Sequence, residues 1–480
     1  MALTQIKANQ EKQCLCTEGM NRTSSSDVLP ITGACEQGGV GEFSEDRTTT
    51  GSRDPVVWPQ ASLPLSCRCI RKEPSMLLSR RSLIAATAAV PAFPSYLRAQ
   101  ARPVIRIGVM NDMSGPYRDV NGPTGVACAK QAVQEFAAGA FDVEVLSADH
   151  QNKPDVAVSL AREWFDQRGV DIIIDVAATS CALALAGVCK EKNKIMIATS
   201  TASSDVTGSA CTPNSMHWVF DTYMEAKSTG GAMVKAGGDT WYFITPNYAF
   251  GTATQRDTTR FVEAAGGKVV GSQLYPFPET TDFSAFLVKA QASGAKILGI
   301  CGAGADPINI VKQAHEFGVQ QKMNLAALVA YTTDIRSIGI QMAAGTRLSE
   351  TYYWDLNDRT RAFQKRIQPK VTLWPNMAQA GDYSCTLHYL KAVADLGATA
   401  AKADGAATVA RMKAMPTDDD CFGSGKIRED GRKLTPAYLF EVKQPSESKG
   451  EWDLYKLIGT TPADEAFRPL SDGACPMVKA

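Results

Sequence analysis

The feature that most restricts this chain is a repeated beat: a short apolar strand, a turn of small polar residues, then an amphipathic helix. The first instance runs over residues 104–117, where Val104, Ile105, Ile107 and Val109 give way to Ser114, Gly115, Pro116 and Tyr117. An apolar-periodic stretch follows over 125–138. Further strands are expected at 142–148, 170–176, 194–199, 240–245, 268–275, 295–301 and 323–329. Between them Val156, Leu160, Ala161, Trp164 and Phe165 share one helical face. Similar faces recur over 182–191, 254–265, 283–293 and 308–317. Near-continuous apolar strands such as Ile172, Ile173 and Ile174 fit parallel strands covered on both faces. The alternation predicts a doubly wound α/β architecture, with ligands beyond the carboxyl ends of the strands. Residues 111–117 are therefore the first place to look for one.

The beat comes in two series, one ending near Phe220 and one running from Thr240 to about Val329, each of domain size. Two helical stretches follow, over 360–367 and 378–396. Runs 437–443 and 452–458, separated by a turn rich in Pro, Ser and Gly, read as an antiparallel pair. So long a tail after two complete series implies that the chain crosses back between two lobes.

Composition matters mainly for what it excludes. Lys+Arg and Asp+Glu number 50 each, so no net field favours nucleic acid or an anionic membrane. The four histidines lie far apart, and none stands at a metal-motif spacing from Cys or a carboxylate. Residues 1–75 are rich in Ser, Thr, Gly and Gln without sustained periodicity and read as a disordered extension or an overcalled start. From Met76 the character changes. Arg80 and Arg81 form a basic n-region, 83–93 an apolar core, and Ala99-Gln100-Ala101 a small-residue cleavage site. The expectation is a secretory signal peptide over 76–101, its paired arginines resembling a twin-arginine signal, and export to the periplasm. Eight of the thirteen cysteines follow it, in a setting that permits disulfides whose pairing the sequence does not give.

Catalytic motifs are absent: no GxSxG elbow, no P-loop, no HExxH, and no complete dinucleotide fingerprint. Cys301 ends a strand with no His close in sequence, which favours a buried thiol or disulfide partner over a nucleophile. The strand ends carry hydroxyls instead: Thr179 and Ser180, then Thr199 to Ser204, then Asn247 and Tyr248. Hydroxyls and free N–H groups at helix starts suit a carboxylate, and they also suit simple capping. Asp306 supplies one acid on the same edge, either for an ammonium group or as a cap. Tyr117, Tyr248 and Trp354 either wall an apolar pocket or pack in the core.

Taken together these residues resemble the periplasmic solute-binding proteins of ABC importers, in the leucine/isoleucine/valine-binding branch, type I. The resemblance runs from Ile105 to the C-terminus. It rests on Ile105–Val109 with Ser114–Tyr117, on 170–174 before Thr179 and Ser180, on Asn247–Gly251, on Thr281–Ser284, and on Gly318 after the helix that Asp306 opens. It implies two α/β lobes joined by three crossover strands and closing on a ligand. Lobe 1 is then 102–222 with 349–432, and lobe 2 is 223–348 with 433–480. Carried over residue by residue, Thr179 and Ser180 hold the ligand carboxylate, and Thr201 and Ser203 contribute to carboxylate and ammonium. Tyr117 lines the cleft, Tyr248 is the second-lobe tyrosine, and Asp306 meets the ammonium. Two departures stand out: Asp306 where a Glu is common, and Thr179-Ser180-Cys181 where two serines are usual.

The resemblance thus implies a non-enzymatic, cofactor-free, monomeric receptor. It would deliver a small carboxylate, a branched-chain or other hydrophobic amino acid, to an ABC permease in the inner membrane. Binding of an aromatic acid, amide or urea, and a sensor role for the same fold, remain open beside it.

Overall fold

A computed structural model describes residues 102–136 and 139–479; the expected signal peptide and the extension before it lie outside the described residues. Two sheets organise these residues. The first has the order β2-β1-β3-β4-β5, with β1 Val104–Asn111, β2 Asp142–Asp149, β3 Ile172–Asp175, β4 Ile195–Ala198 and β5 Ser215–His217, all parallel. The second contains the parallel strands β6 Thr240–Pro246, β7 Lys268–Tyr275, β8 Ile297–Ile300, β9 Asn324–Ala327 and β10 Arg347–Glu350. All eight expected strands form, and the doubly wound reading holds. What sequence patterning missed are β5 and β10 and the small antiparallel sheet β11 Thr417–Asp419, β12 Gly423–Ile427 and β13 Lys433–Leu434. Each of these strands is too short to show a period.

The inner parallel strands bury both faces, while the edge strands β2 and β7 leave one face exposed. In β1 and β3, Ile105, Ile107, Val109, Ile172 and Ile174 enter one core, while Met110 and Ile173 enter the other. In β6, Tyr242 and Ile244 face one side and Trp241 and Phe243 the opposite side. Each such buried side chain contributes roughly 1.5–3 kcal/mol of transfer free energy, so the alternation fixes the register of both sheets. Three helices frame the first sheet: α1 Gly122–Glu135, α2 Pro154–Glu163 and α3 Thr179–Lys192. The long helix Met377–Leu396 then packs on α1.

The chain passes between the sheets between β5 and β6, again after β10, and again between β13 and β14. There β14 Ala437–Val442 and β15 Tyr455–Thr461 extend the second sheet as the expected antiparallel pair. The residues after β15 do not stay with it. Ala466 and Phe467 enter the core of the first lobe, and Cys475 forms a disulfide with Cys211, just before β5. Apolar burial and a covalent link thus return the tail to lobe 1. The other six cysteines among the described residues are buried free thiols. Among the described residues no helix is long and apolar enough to cross a membrane.

Candidate ligand site between the two lobes

The site starts from an unusual turn. At the end of β3 the backbone takes left-handed values, φ 80° at Asp175 and 59° at Val176. A β-branched residue there is strained and needs its surroundings to hold it. Val176 N donates to Met110 O at 2.9 Å, and Thr201 Oγ1 donates to Val176 O at 2.5 Å. The turn delivers Ala177 and Ala178 and starts α3 at Thr179. Ala178, at the N-cap, supplies no side-chain hydrogen bond, so the first N–H groups of α3 lack a capping oxygen. Thr179 is 1% exposed, lines the interlobe cavity, and its Oγ1 has no hydrogen-bond partner. A buried hydroxyl beside uncapped helix N–H groups makes a site for an anionic group.

The walls come from both lobes. Tyr117 stands on the loop after β1, which Asp112 shapes by accepting from Gly115 N at 2.6 Å and Tyr117 N at 2.9 Å. Its hydroxyl meets that of Tyr248, from the loop after β6. Phe277 stacks on Tyr248 at 4.8 Å and on Tyr117 at 5.6 Å between centroids. Beside this contact Ala305 N donates to Pro116 O at 3.2 Å. A Cβ at Gly304 (φ 65°) would lie 2.5 Å from the same oxygen, so glycine permits the approach. The lobes are therefore closed on each other. They leave only a small cavity between them, about 10 Å³, walled by Val120, Phe250, Ala303, Val329 and Tyr331 besides the two tyrosines.

The floor is polar. Ser200 and Asn121 line it, and both donate to the buried Asp175, Asn121 Nδ2 at 2.9 Å. Asn111 Nδ2 donates to the second oxygen of Asp175 at 2.7 Å. The carboxyl of Asp382 lies against it and accepts from Thr199 Oγ1 at 2.7 Å. Burial pushes both carboxyls up, Asp382 further because Asp175 is its neighbour.

Of the residues singled out in the sequence, Tyr117, Thr179 and Tyr248 come together on the cavity wall. Ser180, one residue into α3, is half-buried and off the wall. Thr201 is fully buried, its hydroxyl spent on Val176 and its carbonyl on His217 Nε2 at 2.6 Å. Ser203 caps a short 3-10 turn by accepting from Asp205 N. Asp306 sits behind the wall, accepting from Tyr275 OH at 2.6 Å, and burial pushes its carboxyl up to about 7. Trp354 is elsewhere, against Trp374 and donating to Trp452 O. Cys301 is fully buried, with its thiol pushed up to about 12.

Ser200 belongs to the hydroxyl run after β4 that the sequence marks, while Asn121, Phe250 and Tyr331 escaped the sequence reading as site residues. Tyr331 follows the last strand of the second series directly, so the strand-end rule alone contained the signal for it.

Two parallel-sheet lobes closed over a small cavity at their strand ends define a type I periplasmic binding protein. The chain belongs to the periplasmic binding protein family, whose match covers residues 104–451. It is similar to a periplasmic binding protein of Burkholderia mallei, with 40% identity and a TM-score of 0.75 over 78% of this chain and 99% of that one. It is also similar to a branched chain amino acid ABC transporter periplasmic ligand-binding protein of Burkholderia xenovorans LB400. There the identity is 37% and the TM-score 0.69, over the same shares. A Leu/Ile/Val-binding protein homolog 6 of Brucella melitensis is 23% identical over 49% of this chain, and the match spans 60% of that relative's length.

Proposed function

We propose that this protein is the extracytoplasmic substrate-binding component of an ABC importer, exported by its N-terminal signal, which captures a small carboxylate and presents it to a membrane permease. It performs no chemistry on its cargo. The observation that carries this reading is Thr179: a buried, unpartnered hydroxyl at the uncapped start of α3, inside the cavity. A carboxylate there would accept from the hydroxyl and from helix N–H groups, and Tyr248 of the second lobe would close on its apolar part. A ligand that touches both lobes favours the closed state by the free energy of its second-lobe contacts.

A hydrophobic amino acid is the cargo that the kinship with a branched chain amino acid binding protein favours. An aromatic acid is a second reading, favoured by the rings of Tyr117, Tyr248, Phe250 and Tyr331 on the walls and by the absence of an acid side chain there. A thermal-shift screen of the purified protein against amino acids, aromatic acids and their neutral amides tests the carboxylate. Carboxylates are expected to raise the melting temperature and their amides not to. Thr179→Val is expected to weaken carboxylate binding by about 1.5–3 kcal/mol. Equal binding of the amides would sink the reading.

A further inference from the structure

Beneath the cleft floor lies a group that the wall residues do not explain. Asp175 is wholly buried and takes three side-chain donors, Ser200 Oγ, Asn121 Nδ2 and Asn111 Nδ2. Among the described residues no cation pairs with it. Its nearest acidic neighbour is the equally buried Asp382, whose carboxyl is held well above the ordinary carboxylate range by burial and by Asp175. Helix α1 seals the pair with Gly125, where an added Cβ would lie 2.6 Å from Asp382 Oδ2 and 3.0 Å from Asp175 Oδ2. Such an arrangement is costly to bury, so what it does to the two residues above it is informative.

A serine hydroxyl has one proton, and that of Ser200 is spent on Asp175. Toward the cavity it has only lone pairs. The neighbouring hydroxyl of Thr199, 3.4 Å away, spends its own proton on Asp382. Asn121 turns its amino group to Asp175, and its Oδ1 accepts no hydrogen bond from the described residues. The floor therefore offers acceptors, while the Thr179 side of the cavity offers donors. We infer that Asp175 is a positioning residue that fixes this polarity, so that the cleft selects carboxylates bearing a hydrogen-bond donor, a hydroxyl or an amino group, over otherwise identical carboxylates without one. A donorless ligand would leave Ser200 and Asn121 buried against nothing, the situation that gives polar sites their strongest discrimination. The inference rests on the proposed capture of a carboxylate and specifies the rest of the ligand.

Calorimetric titration of the full chain with matched probes tests it: L-leucine against 4-methylpentanoate, and 4-hydroxybenzoate against benzoate. At least one donor-bearing probe is expected to bind about tenfold or more tighter than its partner, and which pair does so separates an amino from a hydroxyl donor. Asp175→Asn, whose amide can donate upward, is expected to shrink that ratio to about threefold or less. Ser200→Ala, a milder change that keeps the buried pair, should narrow the same ratio. The ratio is the decisive readout, because a merely structural defect weakens both members of a pair alike. Equal affinities within each pair for the unaltered protein would overturn the donor requirement and leave carboxylate capture standing. No binding of any of the four would overturn both.

Discussion

Arg432 and Asp221 form a fully buried ion pair, 3.6 Å apart, at the place where two passages between the lobes run side by side. Asp221 also accepts from Met224 N at 2.8 Å, capping the helical start of the first passage. Arg432 donates to Phe220 O at 3.0 Å and lies over the ring of Phe467, 4.4 Å from its centroid. One guanidinium thus ties together both passages and the returning tail. Arg432→Met would leave Asp221 buried without its cation, and a loss of about 3–5 kcal/mol is expected. Urea unfolding measures it. A loss below about 1 kcal/mol would show that the pair is not what holds the junction.

Tyr248 is the second-lobe half of the closure. Tyr248→Ala would remove the hydroxyl contact to Tyr117 and the stacking on Phe277. Lost ring contacts of this kind are worth about 1–3 kcal/mol. Ligand affinity should fall by that amount, and the radius of gyration in solution should rise as the open form gains population. An unchanged scattering profile would place the closing contacts elsewhere.

The pH response of Asp306 has a definite sign. Burial raises its folded value to about 7, above the ordinary carboxylate range, so the folded state holds a proton that the unfolded chain releases. Its contribution favours folding at low pH and is lost as pH rises between the unfolded value and about 7. Asp306→Asn keeps an acceptor for Tyr275 OH and removes that loss. The variant should therefore gain stability on the wild type between pH 5 and pH 8, by on the order of a few kcal/mol. Parallel denaturant titrations at the two pH values decide it. Titrating the same variant with L-leucine also tests the ammonium role, since unchanged affinity would remove it.

Reduction of the disulfide between Cys211 and Cys475 should destabilise the protein, because the bond closes a sequence separation of 264. A loss of about 2–5 kcal/mol is expected from the loop-closure account. Comparing Cys475→Ser with the oxidised protein by thermal unfolding checks it. Ligand affinity should survive, since neither cysteine lines the cavity.

The architecture was legible because its signal is repetitive. Strands such as β3 and β4 bury both faces and therefore carry near-continuous apolar runs, and the turns after them are polar. The site was only partly legible. Thr179, Tyr117 and Tyr248 sit at strand ends, and their chemistry shows in the sequence. Thr201 and Ser203 have equally promising types, yet local backbone groups claim their hydroxyls, a competition that spacing does not reveal. Asp306 is diverted in the same way by Tyr275, which is 31 residues away in sequence. The tail escaped because its return depends on one disulfide and a few buried side chains, without any periodicity.

That tail bears on how the molecule comes into being. Cys211 belongs to the lobe that starts the fold, and its partner Cys475 comes after every strand of both sheets. A chain delivered from its N-terminal end must hold the first lobe unfinished while the whole second lobe is made. If the polypeptide is threaded through a membrane, the loosened first lobe stands exposed to proteases and chaperones for that interval. If it is folded beforehand, oxidation becomes the last act of maturation, performed on a nearly complete protein.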